Sequence, residues 1–201
     1  MESDPSEHSE LSQTSDMRKK KIKTKICLVG EKAVGKTSLI RRYVLDMFDD
    51  RYITTIGTKV SKKEIVIPRP DKGLEVHVDM TIWDIMGEKG FRELLKEAYF
   101  YGANGVLAVA DITREGSLTD LDDWIDSTIK VAGKVPIIIA VNKTDLEGAI
   151  QYGDKEVSQL AKAFNSPFVY TSAKKGEKVE DVFKKLGEMT LESQLGFSEP
   201  E

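Results

Sequence analysis

Residues Gly30 to Thr37 read Gly-Glu-Lys-Ala-Val-Gly-Lys-Thr, a complete G-x-x-x-x-G-K-[ST] loop whose chemistry requires a strand before it and a helix after it. Both flanks comply. Lys23 to Val29 alternates lysine with apolar Ile26, Leu28 and Val29 and reads as a strand, while Leu39, Ile40, Tyr43 and Val44 recur at helical spacing. Gly30 and Gly35 let the backbone turn and approach an anion, so that successive N–H groups and the positive end of the helix face phosphate. The spacing assigns Glu31, Lys32, Ala33, Val34 and Gly35 to that cradle, with Lys36, Thr37 and Ser38 opening the helix. Lys36 would reach the β and γ phosphates and the Thr37 hydroxyl would ligate Mg²⁺. An ordinary glycine turn before an amphipathic helix explains the loop alone, but predicts no second motif.

A second motif is present. Asn142-Lys143-Thr144-Asp145 follows the run Pro136 to Val141, which reads as a strand buried on both faces. Residues just past the carboxyl end of such a strand face the ligand crevice of an open α/β sheet. A carboxylate accepts two parallel hydrogen bonds, which suits the N1–H and 2-amino edge of guanine and not adenine. Asp145 is therefore the expected guanine reader, because a buried acceptor left unpaired rejects the wrong base.

These two motifs, together with Thr55-Ile56-Gly57, Trp83-Asp84-Ile85-Met86-Gly87 and Thr171-Ser172-Ala173-Lys174, follow the order and approximate spacing of the Ras superfamily of small GTPases. The resemblance runs from about Lys23 to Leu191. It is most similar to the Rab branch, through Tyr52 to Gly57, Gly102 to Val106, and the stretch from Thr171 to Phe183. The resemblance implies a P-loop α/β fold with a six-stranded, mostly parallel sheet, one antiparallel edge strand and helices on both faces. It implies a GTP/GDP switch with slow hydrolysis, in which Thr37, Thr55 and Asp84 serve Mg²⁺ and the Gly87 N–H meets the γ-phosphate. Lys36, Thr55, Gly87 and Glu88 form the catalytic set. Lys143 would lie along the nucleotide and the Ala173 N–H would meet the guanine O6, with Asn142, Ser172 and Lys174 beside them. Phe48 matches the aromatic that packs on guanine; as a residue at a helix end it equally suits the core. Loss of the γ-phosphate would release the segments around 49–59 and 85–97. Exchange factor, activator and effector proteins are the implied partners.

Three residues depart from the family pattern. Glu88 stands where most members have Gln; its carboxylate accepts from an attacking water but donates nothing to the transition state unless protonated, and it brings negative charge toward the γ-phosphate. Guanine-nucleotide-dependent binding with little or no hydrolysis is the alternative that this substitution opens. Lys32 replaces a small residue, either to offset that charge or as a solvated lysine on the rim. Met86 replaces a small residue before Gly87, and the stretch from Trp83 to Gly102 is one residue longer than in Rab proteins. No arginine is assigned to the transition state: Arg41, Arg42 and Arg51 are expected on solvated or phosphate-distal faces.

The 201 residues suit one domain over 23–192, with 40% apolar content giving it a core. Strands are expected near 24–30, 58–67, 75–84, 105–111, 136–142 and 167–172, and helices near 35–46, 90–100, 117–132, 154–165 and 178–191. Pro68 to Gly73 should turn between two antiparallel strands. Residues 1–22 read as an extension, Ser-rich and acidic over the first sixteen and then basic from Arg18 through Lys25, and 193–201 as a flexible tail. A net charge of −4 gives no support to nucleic-acid binding. Cys27 is the single cysteine, so no intrachain disulfide forms, matching a reducing, cytoplasmic compartment; a monomer is expected. Glu2 excludes myristoylation and the terminus lacks a prenylation cysteine, so no intrinsic lipid anchor is expected. Trp83 and Trp124 read as half-buried packing residues.

Overall fold

The computed structural model describes residues 17–51 and 54–196, with side chains omitted for Lys89 and residues 91–95. The Ser-rich acidic stretch, Tyr52, Ile53 and the tail from Phe197 lie outside the described residues. Six strands form one sheet in the order β2-β3-β1-β4-β5-β6: β1 (Arg18–Val29), β2 (Thr58–Arg69), β3 (Leu74–Ile85), β4 (Gly105–Asp111), β5 (Ile137–Asn142) and β6 (Phe168–Tyr170). β2 pairs antiparallel with β3 across a short 3-10 turn at Pro70–Lys72, and every other pairing is parallel. The helices are α1 (Lys36–Leu45), α2 (Lys89–Phe100), α3 (Glu115–Thr119), α4 (Leu121–Ala132), α5 (Asp154–Ala163) and α6 (Val179–Leu195).

The two sheet faces bury separate cores, as alternation along the strands requires. Even-numbered Ile26 and Leu28 of β1, with Val76, Val78, Met80 and Ile82 of β3, pack with Leu39 and Tyr43 of α1 and Phe183 and Leu186 of α6. Cys27 and Val29 point the other way, toward Trp124 and Ile125 of α4 and Phe100 of α2. β4 and β5 are buried at every residue, which is why their sequences are continuous apolar runs. Burial pushes the Cys27 thiol up to about 12 and leaves it unreactive.

Four expectations are corrected. The basic run is itself strand: β1 begins at Arg18 and pairs with β3 from Leu74 onward, six residues before the expected start. Arg18 to Lys21 are all exposed, so their charge hid a strand whose pairing partner is β3. The expected helix at 117–132 is two helices divided at Asp120, and the last helix runs four residues further, to Leu195. Trp124 is wholly buried rather than half-buried. Among the described residues no helix is long and apolar enough to cross a membrane.

Candidate functional site

β1 lies between β3 and β4, so successive connections leave it in opposite directions and a crevice opens beyond its carboxyl end. The Gly30–Thr37 loop fills that position. Gly30 has φ 130°, and a Cβ there would fall 2.2 Å from the Val109 carbonyl oxygen; Gly35, at φ 103°, would meet the Asn142 amide at 2.2 Å. Only glycine lets the loop pass this close to β4 and β5. Inside the loop the Lys36 ammonium donates to the carbonyls of Gly30 at 2.6 Å and Glu31 at 2.7 Å. Lys36 is 6% exposed, and burial lowers its pKa to about 8 against the opposing pull of Asp84 and Glu31. The ammonium is thus held at the mouth of the loop by backbone carbonyls, among the residues that line the cleft.

A cleft of about 490 Å³ opens here. Lys32, Ala33, Gly35, Lys36, Thr37 and Ser38 line one end, and Asn142, Lys143, Asp145, Ala173 and Lys174 the other. Phe48, Thr55, Gly87 and Glu88 complete the wall. Glu31, Val34, Asp84 and Ser172 do not line it; they act from behind. Phe48 lines the cleft and also packs against the α1 side core.

At the phosphate end three oxygens converge. The Thr37 hydroxyl donates to Asp84 Oδ2 at 2.5 Å, Thr55 Oγ1 lies 3.3 Å from the same oxygen, and the two hydroxyls are 2.9 Å apart. Asp84 is 2% exposed and its Oδ1 has no hydrogen-bond partner among the described residues. Burial raises the Asp84 pKa despite hydrogen bonds from both threonines. Two hydroxyls and a buried carboxylate with an orphan oxygen fit a hard cation such as Mg²⁺. The loop ending at Gly87 presses on the phosphate loop so closely that a Gly87 Cβ would lie 2.4 Å from Glu31 C and Lys32 N.

At the other end Asn142 joins the pieces. Its amide donates to the Val34 carbonyl at 2.9 Å, and its oxygen accepts from the Thr171 hydroxyl and the Ala173 N–H, each at 3.2 Å. The Ser172 hydroxyl donates to Asp145 Oδ1 at 2.6 Å, fixing the carboxylate. Lys143 Nζ is held by Asp111 Oδ2 at 2.6 Å.

Arg51 is exposed as expected, whereas Arg42 is drawn against the loop after β6. Arg41 and Arg51 line the cleft. Arg51 is tethered by the Asp49 carboxylate, whose pKa its side-chain hydrogen bonds pull down to about 2. Arg42 is only partly solvated: its guanidinium donates to the carbonyls of Ala173 at 3.0 Å and Lys174 at 2.9 Å, bracing the loop that carries Ala173. Lys32 and Glu88 both line the cleft and are exposed. Sequence reasoning missed Arg42, Asp111 and Arg114. Asp111 ends a buried strand next to β1, a place where ligand-facing residues concentrate, and that signal was available.

A model of the Ras family matches residues 25–192 of the chain. The Ras-related protein SEC4 of Candida albicans is 31% identical over 172 residues, covering 85% of this chain and 79% of its own length. The Ras-related protein SEC4 of Saccharomyces cerevisiae is 32% identical over 169 residues, covering 84% and 75%.

Proposed function

The chain belongs to the Ras family and is a Rab-like small GTPase, a nucleotide-dependent switch and a hydrolase, and from that premise we propose how its residues divide the work. GTPases of this family bind GTP or GDP with Mg²⁺ and act with regulators and effectors. The loop amides from Glu31 to Gly35 and the Lys36 ammonium hold the phosphates, and Thr37, Thr55 and Asp84 hold the metal. When bound, Mg²⁺ neutralises charge on the β and γ phosphate oxygens. Asp145, oriented by Ser172, pairs with the guanine edge, and the Ala173 N–H turns from Asn142 toward O6. Phe48 and the Lys143 stem flank the base.

The observation that carries this division is the unpartnered Oδ1 of buried Asp84 beside the hydroxyls of Thr37 and Thr55. Thr55 belongs to the segment 49–59 and Gly87 to 85–97, so both contacts are lost when the γ-phosphate leaves. Glu88 faces the cleft and accepts a hydrogen bond from the attacking water; lacking a donor for the transition state, it leaves hydrolysis slow. An activator supplying an arginine adds roughly 10³ to 10⁵ in rate. We propose that the protein works as a cytoplasmic monomer with an exchange factor, an activator and an effector.

Calorimetry with Mg²⁺ tests the site: GDP and a GTP analogue should bind at least a hundredfold more tightly than ADP and ATP analogues. Single-turnover phosphate release tests the role of Glu88. Glu88→Gln should accelerate it, and an unchanged rate removes that side chain from the mechanism.

A further inference from the structure

β4 ends in Asp111, a carboxylate 1% exposed that collects four donors. Oδ1 accepts from the Thr113 N–H at 3.0 Å and hydroxyl at 2.7 Å; Oδ2 accepts from Lys143 Nζ at 2.6 Å and Arg114 Nε at 3.2 Å. Burial alone would raise its pKa, but the hydrogen bonds from Lys143 and Thr113 outweigh it and the carboxyl stays ionised. The segment after it is fixed as well: the Ser117 hydroxyl lies 2.7 Å from the Arg114 carbonyl, and it accepts from the Asp111 N–H at 2.9 Å. Arg114 is therefore anchored at both its backbone and its Nε.

The far end of that guanidinium reaches the phosphate loop. Nη2 donates to the Lys32 carbonyl at 2.8 Å, and Nη1 lies 3.8 Å from Glu31 Oε2. In a trans peptide the carbonyl and the following N–H point in opposite directions. Holding the Lys32 oxygen against Arg114 thus turns the Ala33 N–H away from Arg114, and Ala33 lines the cleft. Ala33 needs this restraint, because its φ of 62° is a left-handed conformation that a residue with a Cβ disfavours.

We propose that Arg114 is a positioning residue for nucleotide binding: anchored on Asp111, it locks the Lys32–Ala33 peptide so that the Ala33 N–H is presented to the phosphates beyond the α position. The inference rests on the functional reading above and adds a member that belongs to none of its motifs. The same carboxylate holds Lys143, so one buried group ties the phosphate loop to the base-reading loop.

Fluorescent-GDP dissociation from the full chain, with Arg114→Ala, Arg114→Gln and Arg114→Lys, is the test. A charge-assisted hydrogen bond that orders a ligand-facing amide is worth roughly a ten- to hundredfold change in affinity. Arg114→Ala and Arg114→Gln should speed GDP release by about that factor, and Arg114→Lys should recover part of it, since lysine donates to one carbonyl but cannot also hold Asp111. Phosphorus resonances separate orientation from general loosening: the β-phosphate signal of bound GDP should move in Arg114→Ala while the α signal stays. The dissociation constant of GMP, which has no β-phosphate, measured directly by calorimetry, should be equal in wild type and variant. Tight GDP binding by wild type with unchanged release in both Ala and Gln variants overturns the role of Arg114. An equal loss for GMP overturns it too, by showing that the whole site has loosened. Absence of GDP binding by the wild type overturns this proposal together with the reading it rests on.

Discussion

Gly87 shows how closely single atoms are specified. Its Cα faces the backbone of Glu31 and Lys32, and backbone cannot swing aside as a side chain would. Gly87→Ala must displace either the phosphate loop or the segment that follows Gly87, at a cost of about 1–3 kcal/mol. Thermal unfolding should record that loss, and affinity for a GTP analogue should fall further than affinity for GDP, because Gly87 is assigned to the γ-phosphate. Lys36 makes a different prediction. Burial holds its nucleotide-free pKa near 8, against an unfolded value of 10.5. Between those values the folded protein is neutral at this site while the unfolded chain is protonated, so the nucleotide-free form gains stability as pH rises through this window. Phosphate favours the ammonium and reverses the shift. Nucleotide binding at pH 9 should therefore take up a proton, visible by calorimetry in buffers of different ionisation enthalpy, and affinity should fall above pH 8 by up to about tenfold per pH unit.

β1 combines two environments in one strand. From Thr24 onward it is buried except at half-buried Lys25, with β4 pairing to it from Ile26; before that it is paired with β3 alone, so its other backbone edge meets no strand among the described residues. Lys19, Lys21 and Lys23 are exposed along this stretch. Lys19 pairs with Glu75 and Lys21 with Glu64 and Asp79, solvated ion pairs that contribute little to stability. The physical role of the lysines is to keep an open edge from recruiting another strand. Replacing all three by valine should produce concentration-dependent oligomers in light scattering while GDP affinity is preserved. A variant that stays monomeric would show that another feature protects the edge. The break between α3 and α4 has a local cause of the same kind: the Ser117 hydroxyl is committed to Asp111 and Arg114, holding the short helix against the end of β4.

Taken together, the cleft is walled by segments from every part of the fold: the loop after β1, the connection between α1 and β2, the ends of β3 and β5, and the loop after β6. A ligand that bridges them binds only the folded chain and stabilises it by mass action. At one hundred times its dissociation constant the gain is about 2.7 kcal/mol, which for a protein of this size raises the melting temperature by roughly 5–11 °C. Mg²⁺-GDP should produce that shift in differential scanning fluorimetry and ATP should not. Chelation should reverse part of it, since Asp84 Oδ1 then loses the cation.

Much of this site was legible in the chain because its chemistry is local. Glycines at 30 and 35, a lysine and a threonine beyond them, and Asp145 after a buried apolar run each carry their reason in their neighbours, and the order of the motifs dictates the sheet. What the tertiary structure decided depends on carbonyls and carboxylates brought together from afar. Arg42 reads as a solvated helix residue until Ala173 and Lys174 stand across from it; Arg114 reads as a loop residue until its guanidinium reaches Lys32. The basic run reads as an extension until β3 lies beside it. Periodicity and composition record which side chains leave water, but a hydrogen bond to a distant backbone carbonyl leaves no mark in either.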